Sequence, residues 1–322
     1  FNSIYMKISI SRWTVLLLLI PFFASAQTTF PFQNTSLPDS KRVDNLLSLM
    51  TIDEKVNALS TNLGIPRLGI RNTGHSEGLH GMALGGPGNW GGMERGVTKT
   101  YPTTTFPQAY GLGETWDTEL IQKVADIEAN EIRFYTQNAN LQKGGLVMRA
   151  PNADLARDPR WSRVEETFGE DPVLSGRLGA AMVIGLGSGD LSREYATIAT
   201  LKHFLAYAVP EGGQNGNYAS VGTRDLHENF LPPFQEAIDA GALSVMTSYN
   251  SIDGVPCTAN HYLLTQLLRN EWRFRGFVVS DLYSIEGVHE SHFVAPTIEE
   301  AAMQVVSAGV DIDLGGNAFM NL

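Results

Sequence analysis

The sequence is poor in cysteine, with Cys257 alone among 322 residues. An intrachain disulfide and a thiolate zinc cluster are both excluded, because each needs at least two cysteines. Basic residues are also scarce, since 23 Lys and Arg stand against 34 Asp and Glu and give a net charge of −11. Such a chain repels a polyanion, so nucleic-acid binding is disfavoured. A hydrophobic content of 43% is ordinary for a globular protein that buries a sizeable core.

The N-terminus has the three parts of a secretory signal peptide: a positive start, an apolar run and a small-residue cleavage site. These parts lie at Lys7 and Arg12, at 15–23, and at Ala24-Ser25-Ala26. We predict a signal peptide over residues 1–26, in which 1–5 precede the start at Met6, and a linker over 27–38. The protein is then expected to be bacterial and exported, either periplasmic or secreted, and free of the membrane after cleavage. An uncleaved membrane anchor is the alternative.

After the linker, short apolar runs alternate with helical stretches. The runs lie at 145–148, 196–201, 242–246, 276–279 and 309–312. Capping boxes at Thr51-x-x-Glu54 and Thr297-x-x-Glu300 predict the starts of two helices. Continuous apolar strands that alternate with helices favour a parallel sheet buried on both faces.

Polar residues stand within four residues of the end of each of these runs. They are Arg149, Lys202 with His203, Tyr249 with Asn250, Asp281, and Asp313. Polar groups at the carboxyl ends of parallel strands are typical of the active-site face of a (β/α)8 TIM-type barrel. A doubly wound α/β sheet also places its site at that edge. We predict the α/β class and the barrel, over residues 39–322.

Some of these positions are candidates for chemistry on the pattern alone. Asp281 follows an apolar strand, where a carboxylate is costly unless it is hydrogen-bonded or catalytic, and capping the next helix is the alternative. Lys202 and His203 offer donors to the hydroxyl groups of a ligand, with a salt bridge to a neighbouring carboxylate as the alternative. His289 and His292 are one residue short of the zinc motif H-E-x-x-H, and neither a metal nor a cofactor is predicted.

Several motifs occur in a fixed order along the chain. They are Glu77-Gly-Leu-His80-Gly81, Asp158-Pro-Arg-Trp-Ser-Arg163, Glu165-Glu166, Gly169-Glu-Asp-Pro172, Lys202-His203-Phe204, Met246-Thr-Ser-Tyr249-Asn250 and Gly276-Phe-Val-Val-Ser-Asp281. Each motif is weak alone, but the ordered set is highly specific. In these motifs the chain resembles glycoside hydrolase family 3, from about Ile52 to Gly315.

The resemblance implies a retaining enzyme that hydrolyses terminal non-reducing β-D-glucosyl residues through a covalent glycosyl-enzyme. It also implies that Asp281 is the nucleophile and that Tyr249 orients it. The residues that look like ligands for the hydroxyls of the terminal sugar are Glu77, Arg163, Lys202 and His203. Nearby Lys and Arg charges favour the ionised carboxylate that such an attack requires.

The family resemblance further implies that the barrel is followed by an α/β sandwich domain of the same polypeptide. That second domain is expected beyond Leu322, and the acid/base residue is expected with it. Residues 27–322 alone should therefore fold as a barrel and hydrolyse ordinary glycosides poorly.

Two alternatives stay open for the activity. Many β-glucosidases of the family have Asp where this chain has Glu77, and Glu is commoner in xylosidase-like members, so a β-xylosidase is the first. Leu282 stands where many members have Trp, which changes an apolar wall of the pocket. The second alternative is a sugar-binding barrel without catalysis, against which the intact Asp281 argues. In each case the expected partner is a β-linked oligosaccharide or glycoside.

Overall fold

The computed structural model describes residues 30–322, apart from 62, 73 and 85–100. The chain divides into two compact units, Phe1–Met50 and Thr51–Leu322. The described part of the first unit holds a 3-10 turn, Pro31–Gln33, and helix α1, Asp39–Leu49. The predicted signal peptide over 1–26 lies outside the described residues, and the predicted domain boundaries stay predictions.

Helices and strands alternate in the second unit. Its helices are α2 (Ile52–Asn57), α3 (Ala109–Gly113), α4 (Thr118–Gln137), α5 (Pro172–Leu186), α6 (Thr223–Asp225), α7 (Leu231–Asp239), α8 (Ser284–Glu290) and α9 (Ile298–Ala308). Its strands are β1 (His75–Ser76), β2 (Val147–Met148), β3 (Ile198–Phe204), β4 (Ser244–Thr247), β5 (Ser251–Ile252), β6 (Val255–Pro256) and β7 (Phe277–Val279). Two π-helical segments are Leu226–Phe230 and Tyr262–Glu271. In the described part of the chain, every helix is too short or too polar to span a membrane.

Five parallel strands form the central sheet, in the order β1-β2-β3-β4-β7. Single parallel bridges extend it from Val279 to Ile312 and from Asp313 to Ser60. Seven parallel segments thus follow one another, and no pairing joins Ser60 to β1 among the residues described. The prediction of an α/β, TIM-type barrel is confirmed, with seven such segments in the described residues where eight closed strands were expected.

Helices α4 and α5 pack closely against each other beside the sheet. Helix α4 begins after Asp117, whose Oδ1 accepts a hydrogen bond from the Leu120 N–H at 2.9 Å. Helix α5 begins at Pro172, a residue that suits the first helical position because it has no N–H to satisfy. Gly185 permits the close approach, since a Cβ there would lie 2.4 Å from the carbonyl oxygen of Gln122.

Both predicted helix starts are observed, one of them as a complete capping box. The Thr51 hydroxyl accepts the Glu54 N–H at 3.2 Å, and the Thr51 N–H donates to Glu54 Oε2 at 2.9 Å. The Thr297 hydroxyl accepts the Glu300 N–H at 3.3 Å. The hydrogen bonds of the described residues include no return bond from the Thr297 N–H to Glu300, so α9 has only the simple cap.

A short hairpin follows β4 and holds the end of that strand in place. Strands β5 and β6 are antiparallel and are joined by Asp253 and Gly254, which have φ values of 50° and 78°. Positive φ at both central positions is typical of a type I′ hairpin turn. The Asn250 side chain donates to the Leu205 carbonyl at 3.2 Å, which ties the segment after Tyr249 to the end of β3.

Candidate active site

The six predicted site residues meet at the carboxyl edge of the sheet. Glu77 directly follows β1, Lys202 and His203 lie near the end of β3, and Tyr249 and Asp281 stand two residues beyond β4 and β7. Arg163 comes from the loop after β2, where it precedes the 3-10 turn Val164–Glu166. Contacts that include Glu166 join five of these side chains into one network, and Tyr249 is connected to it through the backbone of Leu282.

Asp281 is nearly buried, with 7% of the residue exposed. Its Oδ1 accepts the Leu282 N–H at 2.7 Å, whereas its buried Oδ2 has no hydrogen-bond partner among the described residues. Burial raises the pKa of this carboxyl, and the Arg163 charge opposes the rise. The alternative role as a helix cap is not observed, because α8 begins after Tyr283 without a side-chain cap. The Asp281 Oδ2 thus lies buried in a polar site, 3.5 Å from His203 Nε2 and without a hydrogen bond from the described residues.

Arg163 connects three of the site residues. Its guanidinium binds both carboxylate oxygens of Glu166, at 2.6 and 2.8 Å. Its Nη2 lies 3.0 Å from His203 Nε2, and its Nη1 lies 3.9 Å from Asp281 Oδ2. Such a two-point pair fixes the guanidinium plane, so Arg163 is a rigid positive charge beside Asp281.

The contacts of His203 define its protonation. Arg163 can only donate, so His203 Nε2 must accept and its proton must sit on Nδ1, 2.8 Å from Asp154 Oδ2. Burial, together with the charges of Arg163 and Lys202, lowers the pKa of His203 well below its usual value, in agreement with a neutral ring. In this arrangement His203 holds Arg163, and its predicted contact with a sugar hydroxyl stays a prediction.

Lys202 is buried and forms an ion pair across the site. Its Nζ lies 2.9 Å from Glu77 Oε2 and 3.9 Å from Glu166 Oε2. The salt bridge considered as an alternative for Lys202 is therefore present. The Glu77 side chain is 27% exposed, so it remains within reach of a ligand at the edge of the sheet. Lys202 thereby fixes the orientation of a carboxylate that can accept hydroxyl protons.

Tyr249 acts on the backbone next to the predicted nucleophile. Its hydroxyl donates to the Leu282 carbonyl at 2.8 Å. Burial and the charge of Asp281 raise the pKa of Tyr249, so the phenol keeps its proton. Leu282 is also the residue whose N–H binds Asp281 Oδ1. Tyr249 thus orients Asp281 through Leu282, because its single proton is used at the carbonyl.

Sequence reasoning did not assign roles to Asp154, Glu166 or Arg149. Asp154 accepts both the backbone N–H and the ring proton of His203. Glu166 joins Arg163 to Lys202, and its signals in the sequence were the Glu165-Glu166 motif and its position three residues after Arg163. Arg149 follows β2 and lies close enough to Glu77 and Asp281 for their charges to act on it.

Two other patterns have structural explanations. Ser76 is the centre of a G-x-S-x-G pentapeptide at 74–78, the pattern of the α/β-hydrolase nucleophile. It is buried, and its hydroxyl accepts the Gly145 N–H at 2.9 Å, so it belongs to the sheet. His289 and His292 contact the carbonyls of Ala295 and Tyr249, each at 2.8 Å. In the described part of the chain, no group of three or more His, Cys, Asp or Glu residues could hold a metal ion.

Fold and site together define a (β/α)-barrel protein with a carboxylate and a cluster of cations at its mouth. Residues 91–321 match the model of the glycosyl hydrolase family 3 N-terminal domain. The chain belongs to this family, as its motifs predicted.

Curated relatives and solved structures agree with this membership. A β-xylosidase of Formosa agariphila is 38% identical over 310 residues, which cover 94% of this chain and 40% of the relative. Probable β-D-xylosidase 7 of Arabidopsis thaliana is 37% identical over 298 residues, which cover 89% of this chain and 38% of that relative. The chain thus spans about two fifths of the length of these relatives.

Two solved structures show the same fold at similar identity. An exo-β-xylosidase of the family in complex with a xylobiose aziridine probe has a TM-score of 0.77 and 31% identity, covering 90% of this chain and 37% of that one. A β-glucosidase of Listeria innocua in complex with isofagomine has a TM-score of 0.71 and 31% identity. The match covers 88% of this chain and 42% of that one.

Proposed function

We propose that the whole protein is a retaining β-glycoside hydrolase that removes the terminal non-reducing sugar from β-linked glycosides. The observation that carries the proposal is the Asp281 carboxylate, which has one oxygen without a partner and a fixed Arg163 charge 3.9 Å away. A nucleophilic carboxylate must be ionised, and the Arg163 charge favours the ionised form of Asp281 against the burial that raises its pKa. Glu77, held by Lys202, offers an acceptor for sugar hydroxyls beside it.

The proposed reaction has two displacements. In the first, Asp281 forms an ester bond to the anomeric carbon, the bond to the leaving oxygen breaks, and a general acid protonates that oxygen. In the second, water attacks the same carbon, gives its proton to the same residue acting as base, and displaces Asp281. Glu77, Glu166 and Asp154 are already bound to Lys202, Arg163 and His203, so we place the acid/base outside the described residues.

For the substrate we propose β-xylosides first and β-glucosides second. Glu reaches one methylene further than Asp, so Glu77 would crowd the hydroxymethyl group that glucose has and xylose lacks. The relatives named above carry the names of β-xylosidases, and one of the structures is a β-glucosidase. This order reverses the expectation from the sequence, in which glucosides came first.

Glu77→Asp is expected to raise the preference for glucosides over xylosides by about tenfold, because one methylene in a pocket is worth roughly 10- to 200-fold in discrimination. The measurement is kcat/KM of the full-length protein on the 4-nitrophenyl β-D-glucoside and β-D-xyloside. Glu119→Asp, on the exposed face of α4, is the matched control and should leave the ratio unchanged. An unchanged ratio in Glu77→Asp would mean that this residue does not determine the sugar preference.

Arg163→Gln is expected to move the acidic limb of the kcat/KM profile to higher pH by about one unit. The cation favours the ionised form of Asp281, so its removal raises the pKa of that carboxyl further above its usual range. The nucleophile is then protonated, and the reaction stops, at a higher pH than in the wild type. The pH profile of hydrolysis measures this, with Arg177→Gln on α5 as an exposed control. If the acidic limb of the profile does not move, Arg163 does not affect the pKa of Asp281.

A further inference from the structure

Arg149 is a buried guanidinium at the candidate active site that the proposed mechanism does not use. It directly follows β2, and its N–H donates to the Ser76 carbonyl at 2.8 Å, which fixes the end of β2 beside β1. Met148 lies on the other face of the strand, because its side chain reaches the space beside Gly78 and Glu128 of α4. Successive side chains of a strand point to opposite faces, so Arg149 points away from α4 and into the barrel.

The guanidinium lacks the partners that the other cations of the site have. Only 2% of Arg149 is exposed, and its Nε and Nη1 have no hydrogen-bond partner among the described residues. No carboxylate of that part of the chain lies within 4.0 Å of it. The carboxylates whose charges act on it are those of Glu77 and Asp281.

An arginine buried in this way is costly unless something supplies acceptors. Glu77 cannot do so fully, because Lys202 already binds it at 2.9 Å. Burial lowers the pKa of Arg149 to about 10, and the charges of Glu77 and Asp281 oppose this, so the group stays charged at neutral pH. Acceptors on a ligand would satisfy the buried donors. A ligand without these acceptors would leave the donors unpaired and bind less tightly, so the site would be selective.

The charge of the site indicates which kind of acceptor fits. Three cations, Arg149, Arg163 and Lys202, face three carboxylates, Glu77, Glu166 and Asp281. Burial raises the pKa of the fourth carboxyl, Asp154, to about 8, so it is mostly uncharged at neutral pH, and the ring of His203 is neutral. Because these charges already balance, an uncharged acceptor fits better than an added anion.

We propose that Arg149 is a specificity-determining residue that donates hydrogen bonds to a hydroxyl group of a terminal sugar bound beside Glu77 and Asp281. This inference rests on the proposed function for the identity of the ligand as a sugar. It adds a donor that the family motifs did not point to, since Arg149 lies outside all of them.

The test compares the full-length protein with Arg149→Met, which has a similar length and no donors. We expect kcat/KM on 4-nitrophenyl β-D-xyloside to fall by about 10- to 150-fold, the range for a hydrogen bond to a charged group. On the 2-, 3- and 4-deoxy analogues, one substrate should be affected less than about threefold by the same substitution, because it lacks the hydroxyl that Arg149 binds. An equal loss on all analogues would mean a structural role and would overturn the proposal.

Two further measurements keep the outcome unambiguous. Calorimetric binding of methyl β-D-xyloside and its deoxy analogues gives the same comparison without turnover. It therefore tests whether Arg149 binds a sugar hydroxyl even if no glycoside is hydrolysed and the proposed function fails. Activity on 4-nitrophenyl β-D-glucuronide tests an anionic ligand. If the wild type preferred the glucuronide and Arg149→Met lost that preference, the hydroxyl assignment would be wrong. Arg149→Lys retains the charge and should recover part of the loss on the xyloside.

Discussion

Asp281→Asn is expected to lower the hydrolysis of aryl β-glycosides by the full-length protein by on the order of 10⁴-fold or more, with sugar binding largely kept. The amide has almost the same shape as the carboxylate and can still accept the Leu282 N–H, which Asp281 now binds at 2.7 Å. It cannot form the ester intermediate, because it is not an ionised nucleophile. Binding should persist because Glu77 and Lys202 are untouched.

The measurements are kcat on 4-nitrophenyl β-D-xyloside and β-D-glucoside, and the calorimetric affinity for the free sugar. Asp239→Asn, at the exposed end of α7, changes the same functional group away from the site and should leave kcat unchanged. A 2-fluoro glycoside, which slows breakdown of the intermediate, should label Asp281 in the wild type. A label on any other side chain would contradict the assignment of the nucleophile.

The sequence predicted the apolar strands of the fold well, because continuous apolar runs leave little choice for a chain that must bury them. The runs at 145–148, 196–201, 242–246 and 276–279 contain or overlap β2, β3, β4 and β7. The run at 309–312 forms a single bridge at Ile312 instead of a longer strand. Strand β1 is absent from the predicted runs, since His75 and Ser76 are polar and give no apolar signal.

The site residues were predictable as a set, but their pairing was not. Strand ends bring polar residues to one edge, which is a local signal that each strand carries by itself. Which side chain meets which depends on register between distant strands, as in the contact between Lys202 and Glu77, which are 125 residues apart. Register and burial also determine that His203 is neutral and bound to Arg163, and that the guanidinium of Arg149 lacks partners for Nε and Nη1 among the described residues. A single sequence displays neither register nor burial.

Lys202→Met is expected to lower kcat/KM on an aryl β-xyloside by roughly 30- to 1000-fold. This corresponds to a loss of about 2–4 kcal/mol in transition-state stabilisation. The substitution keeps a side chain of similar length and removes the ammonium that binds Glu77 at 2.9 Å and lies 3.9 Å from Glu166. Without it, Glu77 can turn away from the sugar, and Glu166 keeps Arg163 as its only cation within 4.0 Å among the described residues. Lys123→Met, on the exposed face of α4, removes the same group as a control and should have no effect.

A double-mutant cycle then separates the two ways in which Lys202 can act. If Lys202 works only by holding Glu77, Glu77→Gln with Lys202→Met should be no worse than Glu77→Gln alone, because the positioned carboxylate is already lost. If Lys202 also donates to the sugar, the second substitution should cost a further tenfold or more. Because the ammonium has three donors and its bond to Glu77 uses one of them, we expect the second result. Wild-type kinetics in Lys202→Met would instead assign the buried ion pair to the stability of the barrel, which thermal unfolding of the same variant would then reveal as a lowered midpoint.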